Sequence, residues 1–284
     1  MISKKIAVFG MDLEEWYHLD YVKNISENDR NYSMLDGLNN FFEITEQNDI
    51  KATIFTVAEI ANKVRKELQW SDSKSYDIAS HGLTHTRPLT LSLSDFINEI
   101  KRSKLILEEI IQKKIIGFRA PCFSIDAKLL DVLMNNGYLY DSSKIDFKYH
   151  RLYGNFQLNN FIKKNNNVYI KDIFLEFEIP TSKLFNKQVP FSGGGYLRLF
   201  PQKIIEYFIK QMENEKKSIF FYLHPFELSQ KTLPILNLGF KNNIRMKIGR
   251  RNLLKKIDLI IKYLKKNNWK IMTFREYYES IVIK

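Results

Sequence analysis

Cysteine is almost missing from this chain. Cys122 is the only one, so no intramolecular disulfide is available and the core alone must hold the fold. That usage fits a reducing compartment. Proline and glycine are also scarce, 7 and 11 in 284 residues, and no Gly/Ser-rich or Pro-rich linker divides the sequence, so one domain spanning residues 1–284 is expected. No apolar run approaches the roughly 18 residues of a membrane-spanning helix. Met1-Ile2-Ser3-Lys4-Lys5 leads straight into a strand-like segment, without the apolar stretch and small-residue cleavage site of an export signal. A cytoplasmic location is the resulting expectation. Acids are in deficit, 32 against 44 basic residues.

What is abundant is core material. Hydrophobic residues make up 44% of the chain, with 21 Phe and 15 Tyr. The positive charge is concentrated. Residues 239–270 carry eleven basic side chains and one acid, Asp258, and so hold +10 of the net +12. Within them Leu253, Leu254, Ile257, Ile260, Ile261 and Leu264 recur at helical spacing, with Lys255, Lys256, Lys262 and Lys266 between, which predicts an amphipathic helix with a basic outer face. Such a face is either a solvated surface or one that meets anionic lipid or a phosphate-bearing glycolipid. Tyr263 alone interleaves with these lysines, so nucleic acid is not the expected partner.

Short apolar runs alternate with helical patterns. Strands are expected over residues 5–11, 52–57, 76–80, 115–119, 138–141, 218–223 and 269–273. Helices are expected over 34–47, 58–68, 92–113 (with Ser94 and Asp95 as cap candidates), 126–136 (closed by Gly137) and 201–215. An extended piece covers 168–179. This alternation predicts an α/β chain with a parallel sheet. Asp12, His81, Arg119, Asp141 and His224 all fall at or just beyond the C-terminal ends of separate strands. In a distorted (β/α) barrel of seven or eight units, similar to a TIM barrel, those ends converge on one mouth; an open sheet would spread them along a line.

Four segments carry candidate chemistry. Asp12-Leu13-Glu14-Glu15 places Asp12 and Glu14 on one face if the strand persists, where two carboxylates repel unless a cation lies between them. His81 and His85 in Ser80-His81-Gly82-Leu83-Thr84-His85 are spaced as ligands on one helical turn or in a tight loop, and Gly82 lets the backbone turn sharply between them. Two His and one carboxylate, with a position left open for water, suit zinc. Gly117-Phe118-Arg119-Ala120-Pro121-Cys122 ends a strand in Arg, and Pro121 fixes a turn that exposes the next N–H to an oxyanion. Cys122 itself is open to reading as a nucleophile. Ser218-Ile219-Phe220-Phe221-Tyr222-Leu223-His224-Pro225 delivers His224 to a strand exit, as a general acid or as a satisfied core histidine. Gly193-Gly194-Gly195-Tyr196 is neither a P-loop nor a dinucleotide fingerprint; Gly194 and Tyr196 are candidates for a loop approaching substrate, as is Pro121.

In this order the segments resemble the polysaccharide deacetylase family, carbohydrate esterases of the nodulation-type chitooligosaccharide deacetylase fold. The likeness rests on Asp12-Leu13-Glu14-Glu15-Trp16-Tyr17-His18, Ser80-His81-Gly82-Leu83-Thr84-His85, Phe118-Arg119-Ala120-Pro121, Tyr140-Asp141-Ser142-Ser143 and Tyr222-Leu223-His224-Pro225. The resemblance implies a distorted barrel that hydrolyses an N-acetyl group from an amino sugar with one divalent ion, zinc in the first instance. It implies Asp12 as base, His81 and His85 as metal ligands, Arg119 as the residue that orients the base, the Cys122 N–H as oxyanion donor and His224 as general acid. The common form of the first motif has a second, ligating aspartate where this chain has Leu13. The resemblance shifts that role to Glu14, with Glu15 in reserve.

Without an export signal, mature cell wall is out of reach, and a nucleotide sugar or lipid-linked sugar of surface-polysaccharide assembly is the expected substrate. A peripheral contact of residues 239–270 with the inner face of an anionic membrane accompanies that expectation. A deformylase, a cyclic-amide hydrolase, an O-acetyl esterase and a non-catalytic binder of anionic glycolipid stand as alternatives.

Overall fold

The computed structural model describes residues 5–22, 26–147, 150–234 and 238–283. Its strands are β1 (Ile6–Leu13), β2 (Thr53–Thr56), β3 (Asp77–Ser80), β4 (Gly117–Phe118), β5 (Tyr140–Asp141), β6 (Ile162–Asn165), β7 (Val168–Lys171), β8 (Phe174–Phe177), β9 (Ser182–Leu184), β10 (Lys187–Val189), β11 (Ile219–Leu223) and β12 (Lys270–Ile271). Its helices are α1 (Glu27–Arg30), α2 (Gly37–Gln47), α3 (Arg65–Ser73), α4 (Leu93–Ile111), α5 (Ala127–Asn135), α6 (Gly194–Leu199), α7 (Gln202–Asn214), α8 (Pro225–Leu228), α9 (Gly239–Lys247), α10 (Leu253–Lys266) and α11 (Phe274–Val282). No helix among the described residues is long and apolar enough to cross a membrane.

The main sheet runs β11-β1-β2-β3-β4-β5-β8-β7-β6, parallel from β11 to β8 and antiparallel through the β8-β7-β6 meander, with β12 beside the start of β1. It curls into the distorted barrel, and its two ends meet without a strand ladder. The Asn167 side chain joins them: its Nδ2 donates to Ser218 O and Glu178 O (both 2.9 Å), and its Oδ1 accepts from Ser218 N (2.9 Å).

Alternation along β1 explains both layers. Ala7, Phe9, Met11 and Leu13 face the helices, in one apolar cluster with residues of α2, α4, α7 and α10. Ile6 and Val8 face inward, onto Phe55, Phe177, Phe220 and the α11 residues Phe274, Tyr277 and Tyr278. On the same inward face, Gly10 and then Asp12 follow Val8 toward the mouth. A Cβ on Gly10 would lie 2.9 Å from Arg119 Nη1, so glycine leaves the room that the guanidinium fills.

Several elements differ from expectation. The helix expected over 58–68 is a 3-10 stretch, Ala58–Val64, followed by α3. Ser92, rather than Ser94 or Asp95, caps α4, accepting from the Asp95 N–H at 3.2 Å. The extended piece over 168–179 folds into the antiparallel hairpin β7–β8. The basic helix appears as α10, but its lysines are not all solvated. Lys256 Nζ reaches Leu197 O and Phe200 O (both 2.7 Å) at the end of α6, and Lys265 Nζ binds Asn48 O. Periodicity assigns the stem of a lysine to a face but leaves its tip free to reach a helix end.

Candidate active site and metal centre

The strand geometry of β1 stops at Leu13. There Glu14 N donates to Asp12 O (3.0 Å), and the turn swings the Glu14 carboxylate over the mouth. It meets His85 Nε2 directly and lies 3.9 Å from His81 Nε2 and 3.7 Å from His224 Nε2. Glu15 goes elsewhere: buried, it accepts from the Met34 N–H at 3.1 Å. Glu14, His81 and His85 offer ligand atoms all within 4.8 Å of one another.

Three observations fit this trio to a divalent cation. Glu14 Oε2 is buried, and its neighbours are ring nitrogens of the same trio, His85 Nε2 in direct contact and His81 Nε2 at 3.9 Å. His81 Nδ1 lies 2.8 Å from Arg119 O; a carbonyl only accepts, so Nδ1 carries the proton and Nε2 turns its lone pair toward Glu14. Burial pushes His81 down to about 4, so it stays neutral as a ligand must. Burial would raise Glu14, but the His85, His224 and His81 imidazoles hold it well below the usual carboxylate range.

Of the two expected settings, a helical turn or a tight loop, the histidines take the second. They sit on a loop in which Gly82 and His85 have φ of 80° and 58°. Glu99 of α4 pins it, accepting from Leu83 N (2.9 Å), Thr84 N (3.3 Å) and the Thr84 hydroxyl (2.9 Å). The His85 ring stacks on His18 (centroids 5.4 Å apart), which bonds Glu59 at 2.9 Å.

Asp12 and Arg119 form a second buried unit. Arg119 Nη1 donates to Asp12 Oδ1 (2.7 Å), its Nε and Nη2 donate to Ser142 O and Ser142 Oγ (both 3.0 Å), and its guanidinium lies 4.0 Å from the Phe55 ring centroid. The Asp12 carboxylate is thereby fixed from behind. Beyond Arg119 the chain turns at Pro121. Cys122 takes φ of 56°, and its N–H makes no hydrogen bond among the described residues, while Phe123 and Ser124 donate to Ala120 O and Pro121 O. Burial pushes the Cys122 thiol up to about 12, which removes it as a thiolate nucleophile near neutrality.

His224 leaves β11 at the opening of α8. Its Nδ1 pairs with Glu227 Oε2 (3.1 Å), and Glu227 in turn accepts from Arg198 Nε (3.0 Å). Burial alone would lower this imidazole; the bond to Glu227 and the Glu227 and Glu14 charges override it and raise His224 to about 9. Gly194 lies under this pair, where any Cβ would overlap the Glu227 carboxylate.

Asp12, Glu14, His81, His85, Cys122, Tyr196 and His224 share one cavity of about 430 Å³. Ala120 and Gly195 line it, whereas their neighbours Pro121 and Gly194 do not. Sequence reading did not single out Glu99, Arg198, Glu227 or Glu176, the buried neighbour of Asp141. Glu227 had a signal: it stands three residues after His224, the spacing of a capping box, and its carboxylate accepts from the His224 N–H at 3.0 Å.

Residues 30–140 match the family model described as polysaccharide deacetylase, and residues 142–277 match a domain of unknown function, DUF3473. No curated protein matches the sequence significantly. Among solved structures, a putative polysaccharide deacetylase from Mycobacterium smegmatis superposes with TM-score 0.66 at 16% identity, over 98% of this chain and 91% of that one. Puue allantoinase gives 0.60 at 14%, over 95% and 87%. A CE4 family pseudoenzyme from Bacillus anthracis, BA3943, gives 0.56 at 12%, over 98% and 66%. At these identities the structural likeness concerns the fold.

Proposed function

We propose that this chain, which belongs to the polysaccharide deacetylase family, is a metal-dependent hydrolase that removes the N-acetyl group of an amino sugar in a surface-polysaccharide or glycolipid precursor. In this reading residues 1–284 act as one catalytic domain on the cytoplasmic side. The observation that carries it is the convergence of Glu14, His81 and His85, whose ligand atoms all lie within 4.8 Å of one another.

Those three residues would hold the ion, zinc for this donor set, and when bound it supplies a Lewis acid and a water of lowered pKa. Asp12, held in place by Arg119, accepts the proton of the attacking water. The Cys122 N–H donates to the oxyanion that develops on the amide carbonyl oxygen. His224, kept protonated by Glu227, delivers its proton to the amine as the C–N bond breaks and acetate leaves. Base and acid are thus separate groups, the arrangement amide hydrolysis requires.

The test is acetate release from N-acetylated amino sugars by zinc-loaded protein, with zinc content measured in parallel. One equivalent of zinc and acetate production support the reading. Formate in place of acetate selects the deformylase alternative, and zinc-free protein that still binds anionic glycolipid selects the binder. Contact with an anionic membrane, on this reading, falls to α9 more than to α10, whose Lys256 and Lys265 are occupied internally.

A further inference from the structure

The cavity that holds the candidate centre has a second set of walls. α9 lines it through Lys241, Asn242 and Arg245. Four carboxylates line the same cavity, and each is committed. Asp12 pairs with Arg119 (2.7 Å), Glu14 with the histidines, Asp20 with Arg151 (3.0 Å) and Glu227 with Arg198 (3.0 Å). Lys241 and Arg245 have no acidic partner among the described residues. They stand at i and i+4 of one short helix, a spacing at which like charges destabilise the helix unless an anion lies between them. The Arg245 guanidinium rests 4.8 Å from the Tyr21 ring centroid, and it acts with burial to hold His150 below the ordinary imidazole value, which puts it among the cavity's aromatic side chains. His150 and Tyr153 stack there with centroids 3.9 Å apart.

We propose that Lys241 and Arg245 form an anion subsite for a phosphate or diphosphate group carried by the amino sugar whose acyl group lies at Glu14, His81 and His85. This deepens the deacetylase reading and rests on it for the identity of the reacting group. Two adjacent cations suit a multiply charged phosphate better than a single carboxylate. Arg supplies a bidentate fork and Lys a point charge. The aromatic pair beside them offers a face for a sugar or base. Along the adjoining stripe of α9, Phe240, Ile244 and Ile248 at its end are 84%, 43% and 42% exposed. A lipid-borne diphosphate would lay its chain there; a nucleoside diphosphate would leave the stripe unused.

Binding decides the proposal and turnover identifies the source. Inorganic pyrophosphate is titrated calorimetrically into the zinc-loaded chain and into a Lys241→Gln/Arg245→Gln variant whose unfolding temperature matches the parent. A loss of about tenfold or more in affinity supports the subsite. Equal affinities, which would place the pyrophosphate at the metal, overturn it, as does the absence of binding to the parent. Should the double variant unfold, Lys241→Gln alone, at an exposed position, repeats the comparison. Acetate release is then compared among N-acetylglucosamine as its methyl glycoside, as a nucleoside diphosphate ester and as a detergent-dispersed polyprenyl diphosphate ester. A preference of about tenfold for either phosphate form, collapsing in the variant, supports the subsite and names its source. A preference that survives in the variant overturns it. If no sugar is deacetylated while pyrophosphate binding still depends on Lys241 and Arg245, the deacetylase reading fails and the subsite stands.

Discussion

The barrel buries acids at both ends, and they are treated differently. At the floor, Asp77 opens β3 and accepts from the Thr53 hydroxyl (3.1 Å), the Arg275 N–H (3.2 Å), Arg275 Nε (3.0 Å) and the Tyr140 hydroxyl. Both of its oxygens have donors, and Arg275 balances its charge. At the mouth, Glu14 is as deeply buried but faces three imidazoles and, among the described residues, pairs with no Arg or Lys. Ring nitrogens, unlike a guanidinium, offer lone pairs as well as protons, so a buried carboxylate set among them is a donor set suited to a cation. The floor acid serves the fold, and the mouth acid is set aside for a ligand.

The largest effects that sharpen this contrast are at the mouth. Glu14→Gln should abolish stoichiometric zinc binding and, with it, acetate release, while the unfolding temperature of the metal-free chain stays the same or rises. Metal analysis and thermal unfolding check this. Asp12→Asn should keep its zinc and lose at least about a hundredfold in rate, the lower end for a general base. An Asp12→Asn protein with full activity would remove Asp12 from the mechanism.

The mouth was legible in the sequence to the extent that its groups are local. His81 and His85 share one loop, Asp12 and Glu14 one strand end, and Arg119 and His224 each close an apolar run, so spacing alone brings them to light. What stayed hidden is held by long-range partners. Glu99 reaches back 16 residues to the histidine loop, Arg198 meets Glu227 across 29, and Asn167 closes the barrel on Ser218 across 51. No period or motif encodes such pairings. The 3-10 course of residues 58–64 was hidden for another reason: Ala58, Ile60, Ala61 and Val64 are buried in a pattern that also suits an α-helix. Gly10 looks like an ordinary strand glycine until Arg119 is seen over it.

Smaller effects come from the groups that support each end. Asp77→Asn should destabilise the chain by about 3 kcal/mol, the lower end for breaking a buried ion pair, since Arg275 is partly solvated. Zinc binding and turnover per folded molecule should remain. A matched loss of zinc would mean that floor and mouth are not separable. Gly10→Ala should cost about 2 kcal/mol by overpacking. It should also lower the rate without loss of zinc, because the Cβ displaces the guanidinium that holds Asp12. Chemical denaturation together with single-turnover acetate release separates the two consequences.

The smallest effect belongs to a third buried pair, midway between these extremes. Asp141 and Glu176 lie side by side and fully buried, with donors from Ser143 N, Ser143 Oγ and Lys144 N, and with Glu176 Oε2 left without one. Burial pushes Asp141 up to about 6, and burial together with the Asp141 charge pushes Glu176 well above its ordinary value. In the unfolded chain both titrate near 4. The folded state therefore binds more protons than the unfolded state above that pH. The stability from this pair is fully present below about pH 4 and is lost as pH rises through about 6. The unfolding free energy from denaturant titration should fall by on the order of 1 kcal/mol from about pH 5 to about pH 7. Glu176→Gln should flatten that slope, because an amide supplies a permanent donor to Asp141 with no proton to lose. Ser143 Oγ, which donates to Asp141, also accepts the Ala120 N–H at 2.7 Å, so the shared proton steadies the turn that presents the Cys122 N–H. An unchanged slope in Glu176→Gln would show that the two carboxyls titrate independently and that the turn is held without them.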